Sequence, residues 1–289
     1  MSVLSAPAKL NLTLEVVHRL ANGYHNIRSV FVRLDSLADT ISLQIDTAGH
    51  AITIGSRSRE IPLGAENICH HAAVTYLDAI GATIGAHITI EKVIPVAAGL
   101  GGGSSDAATV LLALNANFGN RLSTHELDQL GSRIGKDVPF FLSRAHTAYV
   151  SGMGEVVEPL TEFVPVRFLI INPPIAVSTA QAYRSLDESV WFMGSVDRAD
   201  ISRSMVEAIA AADVSRMAAT LHNDFEVLLE RQHPIIKEIK QALLAYGALG
   251  ALMSGSGPTV FGMFDSGDAL RVARQVLERR YPSFHVAAA

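Results

Sequence analysis

The sequence predicts an α+β fold divided into two domains. Its first half contains mostly alternating apolar stretches typical of strands, whereas its second half mixes buried strands with helical patterns. This order indicates α+β architecture in both halves. A length of 289 residues is enough for two domains of about 100–200 residues each. Pro159 and Pro165 mark the expected boundary, so we predict domains at residues 1–160 and 161–289.

The composition argues against several functional classes. Hydrophobic residues make up 49% of the chain and charged residues 18%, which is typical of a globular protein with a core. The net charge is −5 and no dense run of Lys or Arg occurs, so we expect no nucleic-acid partner. We expect no signal peptide, because the first residues lack a basic region followed by an apolar core. We expect no membrane partner, because the longest apolar run is too short to cross a bilayer. The lone cysteine, Cys69, fits a reducing cytoplasm, which is the expected location.

The first half begins with a predicted hairpin. Residues 10–16 alternate between apolar and polar, so Lys9 and Asn11 should share one face of a strand. Asn22-Gly23 is a strong turn signal, and the chain should return antiparallel to about Leu34. Further strands are expected at residues 41–45, 51–54 and 86–93, with a helix between the last two that Asn67 caps and that ends near Gly81.

Helical patterns follow the strand at 86–93. One helix runs to about Ala116, and a capping box at Ser123 and Glu126 opens another that stops near Gly135. Pro139 disfavours helical geometry at Val138, so Asp137 is expected at a helix-to-loop junction. A carboxylate at that end of a helix would gain nothing from the helix dipole.

The second half is predicted to alternate between strands and helices. A helix should begin at Ser178 and contain Tyr183. The other predicted elements are strands at 166–171, 259–264 and near His285, and helices at 198–221, 224–231, 234–245 and 267–280.

The most distinctive stretch is a glycine loop at residues 95–105. Four glycines occur in its five positions from Gly99 to Gly103. Glycine lets the backbone approach a ligand closely, and a helix start offers N–H groups to phosphate oxygens. Ser104 or Ser105 could cap that helix or bind a phosphate-bound cation. A plain glycine turn is the simpler alternative, but four glycines exceed what a turn requires.

Neither of the two best-known phosphate loops fits this stretch. No lysine follows the glycines as in a Walker loop, and Ser104 occupies the third glycine position of a dinucleotide-binding loop. The loop resembles instead the second motif of the GHMP kinases, with Ala97 in place of a glycine. Four further motifs resemble that family in the same order: Pro7-Ala-Lys-Leu-Asn-Leu12, Gly23-Tyr-His25, Asp137-Val-Pro-Phe-Phe141 and Ser254-Gly-Ser-Gly257.

This resemblance implies a two-domain GHMP kinase fold, with an N-terminal domain like ribosomal protein S5 domain 2 and a C-terminal ferredoxin-like α/β sandwich. It implies ATP and Mg²⁺ as cofactors, Asp137 as the catalytic base and Lys9 as a charge-stabilising catalytic group. The substrate would contact Asn11, Tyr24, His25 and Tyr183. ATP would contact Asn67, Lys92, Pro95, Val96, Ala97, Ala98, Gly99, Leu100, Gly101, Gly102, Gly103, Ser104, Ser105, Ser254 and Gly255, and Ser105 would also hold the metal.

Each of these roles has a simpler alternative. Lys9 and Asp137 could form an ordinary surface ion pair, the tyrosines could be half-buried packing residues, and Ser254–Gly257 could be only a tight turn. Lys136 stands where the family has a small residue, and we expect its side chain to point into solvent.

The resemblance is strongest to family members that phosphorylate a cytidine diphosphate-linked methylerythritol, so we expect that small-molecule substrate. A GHMP kinase for homoserine or mevalonate, or a non-catalytic nucleotide-binding module, is the alternative. We expect a monomer or a weak homodimer.

Overall fold

The computed structural model describes residues 2–162, 165–189 and 199–289. The chain separates into two compact units, neither of which is continuous in sequence. Unit 1 contains the residues up to Ala8, Leu37–Val96 and Gly101–Ala145, and unit 2 contains Lys9–Ser36, Ala97–Leu100 and the described residues from His146 onward. Within the described residues, none of the helices is both long and apolar enough to traverse a bilayer.

Two long strands contribute residues to both units. Strand β1 spans Ser2–Arg19 and β2 spans His25–Asp46. The predicted turn joins them: the amide of Leu20 donates to the carbonyl of Tyr24 at 2.7 Å, and Gly23 has a φ of 84° that favours glycine. The separate strand expected at residues 41–45 is wrong, because β2 continues through it without a break.

Unit 1 combines a small sheet with four helices. Strand β4 pairs parallel with β3 and antiparallel with the end of β2, with Ile88 opposite both Ile54 and Leu43. Helix α1 packs along α2, which also packs against α4. The elements that follow β2 are β3 (Ile52–Ser56), α1 (Ile68–Ile80), β4 (Gly85–Glu91), α2 (Gly102–Asn117), α3 (Thr124–Ile134) and α4 (Val138–Ser143).

The predicted helix caps in unit 1 are confirmed. The Asn67 side chain accepts a hydrogen bond from the amide of Cys69 at 2.8 Å, and Gly81 ends α1 in the left-handed conformation. Ser123 and Glu126 form the reciprocal capping box at the start of α3.

The expected position of Asp137 at a helix C-terminus is wrong. Asp137 is the N-cap of the short helix α4, and Pro139 lies in the first turn of that helix. Proline is tolerated there because the first amides of a helix need no intrahelical partner. Asp137 therefore lies at the positive end of a helix dipole.

Unit 2 contains two groups of strands. The strands β11, β7, β10 and β9 form an antiparallel sheet in that order. Strand β5 pairs antiparallel with β2 and β6, and β1 pairs parallel with β8. The elements are β5 (Thr147–Ser151), β6 (Val156–Leu160), β7 (Arg167–Asn172), α5 (Thr179–Asp187), α6 (Ile201–Ala210), α7 (Val214–Thr220), β8 (His222–Asn223), α8 (Glu226–Gln232), α9 (Pro234–Ala245), β9 (Gly250–Met253), β10 (Val260–Phe264), α10 (Gly267–Arg280) and β11 (His285–Ala288).

Apolar residues hold the four-stranded sheet to its helices. Leu169 and Ile171 of β7 and Phe264 of β10 share a buried cluster with Leu243 of α9 and Leu277 of α10. Burial of side chains of this size stabilises a fold by about 1.5–3 kcal/mol each.

One expectation about unit 2 stays a prediction and another needs correction. The expected domain boundary at Pro159 and Pro165 stays a prediction: Pro159 lies within strand β6, while Phe163 and Val164 lie outside the described residues. The helix expected at 198–221 is two helices, because Ala212 adopts a φ of 50° and Asp213 caps α7. Arg198, where that pattern begins, lies outside the described residues.

Candidate active site

The exit of the glycine loop forms the start of α2 in unit 1. Gly101 is the N-cap, with a φ of 70° and no capping side chain, so the expectation that Ser104 or Ser105 caps the helix is wrong. Both serines lie in the first turn of the helix. The hydroxyl of Ser105 is buried and has no hydrogen-bond partner among the described residues. An orphaned hydroxyl in this place is available to a ligand.

Lys92 lies at the entry to the loop and is buried between two carboxylates. Its ammonium pairs with Asp39 and, at 2.9 Å, with Asp106 of α2. Burial raises the pKa of Asp106 to about 7, Lys92 opposes this rise, and Asp39 adds to it. Burial alone would lower the pKa of Lys92, but the two carboxylates outweigh it and raise that pKa.

Both the oxygen and the nitrogen of the Asn67 side-chain amide form hydrogen bonds within the protein. Its oxygen caps α1, and its nitrogen donates to the carbonyl of Pro62 at 2.7 Å. The side chain is buried, which fixes the segment before α1. A contact between Asn67 and a nucleotide base stays a prediction.

The turn that carries Asp137 lies close to the start of α2 within unit 1. A methyl group added to Gly135 would lie 3.5 Å from the hydroxyl of Ser104, so these two backbone segments adjoin. Lys136 is half-buried and donates to the carbonyl of Ser132 on α3 at 3.1 Å. It therefore folds back onto α3 and does not extend into solvent as expected.

Lys9 and Asn11 share one face of β1 in unit 2, as predicted. The ammonium of Lys9 donates to the Asn11 side chain at 2.6 Å and lies 4.6 Å from the centre of the Phe31 ring. Asn11 in turn donates to the hydroxyl of Ser29 at 3.0 Å. Lys9 is only 4% exposed, which excludes an ordinary surface ion pair for it.

Three of the sequence motifs meet within unit 2. The hydroxyl of Ser254 donates to the carbonyl of Gly99 at 3.0 Å and accepts from the backbone N–H of Asn11 at 3.4 Å. The amide of Lys9 donates to the carbonyl of Leu100 at 2.9 Å. The first motif, the middle of the glycine loop and the third motif are therefore one hydrogen-bonded group.

Glycine is required where the loop and the third motif touch. Gly99 has a φ of 77°, and a methyl group on it would overlap the carbonyl oxygen of Ser254. A methyl group on Gly255 would lie 2.9 Å from the carbonyl oxygen of Gly99. Asn223 holds the third motif from behind, since its amide donates to the carbonyls of Met253 at 2.7 Å and Gly255 at 2.8 Å.

An aromatic pair occupies the mouth of the hairpin in unit 2. The rings of His25 and Tyr183 stack with their centroids 4.7 Å apart, and Tyr183 packs edge-on against Phe225. Nε2 of His25 lies 2.7 Å from a carboxylate oxygen of Asp187. Tyr24, at the turn itself, is 54% exposed. The structure thus brings His25 and Tyr183 together and leaves Tyr24 at the surface.

Four residues described above were not singled out from the sequence. Asp39 and Asn223 are buried although polar, but both lie between predicted elements, so the sequence pattern gave no signal for them. Asp106 directly follows the glycine loop and Asp187 lies in the helix that contains Tyr183, and for both only the fold shows the partner.

The comparisons with known proteins agree with this arrangement. Residues 67–144 match the GHMP kinase N-terminal domain and residues 205–283 match the GHMP kinase C-terminal domain. The fold and the three joined motifs therefore define a GHMP kinase, and the predicted two-domain α+β fold is confirmed.

The full-length relatives narrow the family. A 4-diphosphocytidyl-2-C-methyl-D-erythritol kinase of Geobacter metallireducens is 44% identical over 98% of this chain and 96% of its own length. A crystal structure of a 4-(cytidine 5'-diphospho)-2C-methyl-D-erythritol kinase superposes with a TM-score of 0.78 at 33% identity, covering 99% of this chain and 98% of that one. The chain belongs to the 4-diphosphocytidyl-2-C-methyl-D-erythritol kinase family within the GHMP kinases.

A more distant neighbour shares only the fold. A homoserine kinase from Cytophaga hutchinsonii superposes with a TM-score of 0.77 at 20% identity, covering 99% of this chain and 92% of that one.

Proposed function

We propose that the chain transfers the γ-phosphoryl group of ATP to the 2-hydroxyl of 4-diphosphocytidyl-2-C-methyl-D-erythritol, in the methylerythritol phosphate route to isoprenoid precursors. The observation that carries this proposal is the hydrogen-bonded group in which Ser254 binds Gly99 and Asn11. It joins three family motifs around a glycine-lined backbone. The identity of the substrate rests on the named relatives.

The glycine loop would bind the phosphates of ATP. Backbone amides from Gly99 to Gly103 and the positive end of α2 favour anionic oxygens without any basic side chain. This explains how an acidic chain, with a net charge of −5, can bind a polyanion.

The buried Ser105 hydroxyl suits a Mg²⁺ ligand, because it lacks a protein partner among the described residues. Mg²⁺ would neutralise charge on the ATP phosphates. Groups of three or more His, Cys, Asp or Glu that could hold a metal are absent from the described residues. Phosphate and water oxygens would therefore supply most of the other ligands.

Asp137 and Lys9 would carry the chemical step. Asp137 would accept the proton of the 2-hydroxyl as that oxygen attacks the γ-phosphorus, and the bond to the β-phosphate oxygen breaks to release ADP. The ammonium of Lys9, fixed by the Asn11 side chain, would stabilise negative charge on the transferred group. A buried, preorganised ammonium is stronger in this role than one in water.

His25 and Tyr183 would form one wall of the cytosine site. Flat aromatic faces suit stacking with a base, and each stacked base contributes about 1–3 kcal/mol. The Asp187 carboxylate beside Nε2 holds the His25 ring in a defined orientation. Asn11 and Tyr24 complete the proposed substrate contacts. We further propose a cytoplasmic enzyme that is a monomer or a weak homodimer.

The test is a transfer assay with ATP and Mg²⁺ against the cytidine substrate, homoserine and mevalonate. We expect turnover of the cytidine substrate alone, with the product identified by phosphorus NMR as the 2-phosphate. Asp137→Asn should lower kcat by roughly 10²–10⁴-fold with ATP affinity retained, whereas Asp268→Asn, on the exposed start of α10, serves as the control. Turnover restricted to homoserine or mevalonate would contradict the proposed substrate. An unchanged kcat for Asp137→Asn would contradict the role of the base.

A further inference from the structure

Both ends of the glycine loop are attached to one charged cluster in unit 1, formed by Asp39, Lys92 and Asp106. One oxygen of Asp39 accepts from the amides of Val93 at 2.6 Å and Ile94 at 2.9 Å. Its other oxygen pairs with the ammonium of Lys92. These bonds fix the irregular segment that leads from β4 into the loop.

The same ammonium reaches across to the far end of the loop. Lys92 donates to Asp106, the fifth residue of α2, at 2.9 Å. The two ends are in close contact there: a methyl group added to Gly102 would lie 3.0 Å from the Ile94 side chain and 3.3 Å from the Lys92 ammonium. The two ends of the loop therefore pack against each other at Gly102 so tightly that a larger residue there would crowd Ile94 and Lys92.

All three charged side chains are buried, and burial of charges is costly unless they are paired. Lys92 is only 7% exposed and bonded to two carboxylates, which is a poor arrangement for a direct phosphate ligand. The desolvation cost of the three charged side chains is offset if the cluster holds the loop in its binding conformation, because such a loop loses less entropy when a ligand binds.

We propose that Asp39, Lys92 and Asp106 are positioning residues that hold both ends of the glycine loop in the conformation that binds nucleotide phosphates. The proposal rests on the proposed function for the identity of the ligand, namely a nucleoside triphosphate. It replaces the expected direct contact between the Lys92 side chain and ATP with an indirect role.

The sign of the charge change separates the two roles. If Lys92 bound phosphate directly, Lys92→Met would weaken ATP binding, while Asp39→Asn would remove a nearby negative charge and strengthen it. If the cluster positions the loop, both substitutions break the same arrangement and both weaken ATP binding. Their effects should also be non-additive, because the residues are in direct contact.

The experiment measures ATP binding by calorimetry and steady-state kinetics for Lys92→Met, Asp39→Asn and the double variant. We expect each single variant to raise the Kd and KM for ATP about tenfold or more, with kcat within about threefold, and the double variant to be no worse than the more impaired single one. Lys92→Arg, which keeps the charge, should recover part of the loss.

The control is Tyr76→Phe, which removes a buried hydrogen bond to Asn115 at the other end of the packed pair α1 and α2. It should lower the melting temperature and leave the KM for ATP unchanged. If Lys92→Met proves insoluble, Asp39→Asn and Asp106→Asn are compared with the wild type at pH 8, above the pKa of Asp106, by the rise in melting temperature that ATP causes, and both should show a smaller rise.

Three results would overturn the proposal: tighter ATP binding by Asp39→Asn, an unchanged Kd in both single variants, or effects equal to those of Tyr76→Phe. ATP binding is measured without any alcohol substrate. A failure of the proposed substrate assignment would thus leave this test intact, and a failure here would leave that assignment intact.

Discussion

Replacing Gly99 by alanine tests whether contact between the glycine loop and the third motif shapes the phosphate site. Two costs are expected. The φ of 77° at Gly99 costs an alanine about 1–2 kcal/mol. The new methyl group would also overlap the Ser254 carbonyl, and relieving the overlap requires a backbone shift of about 1 Å.

The size of each effect follows from these two costs. Overpacking adds about 1–3 kcal/mol, so the total loss of unfolding free energy should be about 2–5 kcal/mol. A shift of about 1 Å in a positioning element costs on the order of 10²-fold in rate, so kcat/KM for ATP should fall about 100-fold.

Gly119 provides a matched control for this substitution. It has a φ of 73°, but nothing lies within 4 Å of a methyl group added there. Gly119→Ala should therefore lose about 1–2 kcal/mol from backbone strain alone and keep its kcat/KM. Urea unfolding and initial rates measure both quantities. If Gly99→Ala keeps the wild-type kcat/KM, or loses no more stability than Gly119→Ala, the structural reasoning is wrong.

Three further predictions concern Asp106, Ser105 and Tyr183. Because burial raises the pKa of Asp106 to about 7, the folded protein holds a proton there that the unfolded chain loses above about pH 4, so stability falls between these values. The unfolding free energy of Asp106→Asn, measured by urea unfolding at several pH values, should rise relative to that of the wild type by about 1.4 kcal/mol per pH unit over that range. The same pH dependence of the unfolding free energy in both proteins would contradict this. Ser105→Ala removes a hydroxyl without a partner among the described residues, so the unfolding free energy should change by less than about 1 kcal/mol. If Ser105 is a Mg²⁺ ligand as proposed, the Mg²⁺ concentration for half-maximal rate should rise, and an unchanged Mg²⁺ dependence would contradict that proposal. Tyr183→Leu should raise the KM for the cytidine substrate about 5- to 100-fold and leave the KM for ATP unchanged, and equal effects on both would contradict its place in the base site.

Local features of the fold were predictable where one residue type determines the geometry. Gly23 and Gly81 adopt positive φ values, and Asn67 and Ser123 cap helices, as their types and neighbours indicate. These features depend on a few adjacent residues, so the sequence alone is sufficient.

Other features depended on residues distant in the chain. Pro139 disfavours helical geometry in the residue before it, but proline also suits the first turn of a helix, and the packing of α4 on α2 determines which applies. The break at Ala212 requires a positive φ that alanine rarely adopts, so Ala212 itself does not predict it, and the capping residue Asp213 was the local signal available.

The candidate site divides in the same way. The motifs marked Lys9, Gly99 and Ser254, and the structure joins them within unit 2. The partners of Lys92 could not be predicted, since Asp39 is 53 residues away along the chain and belongs to no motif. Whether Lys9 and Asp137 act as proposed stays a prediction.

The side-chain amide of Asn223 has a consequence for chemical ageing of the protein. It donates to two carbonyl oxygens on either side of Ser254, and its own oxygen accepts from the amide of Phe225 at 3.0 Å. Deamidation would convert both donors into a carboxylate oxygen, which accepts hydrogen bonds and would repel the two carbonyls. Hydrolysis of this one buried amide, which takes up water and releases ammonia, would therefore release the third motif, and preparations that have deamidated there should lose activity in step with a mass increase of about 1 Da.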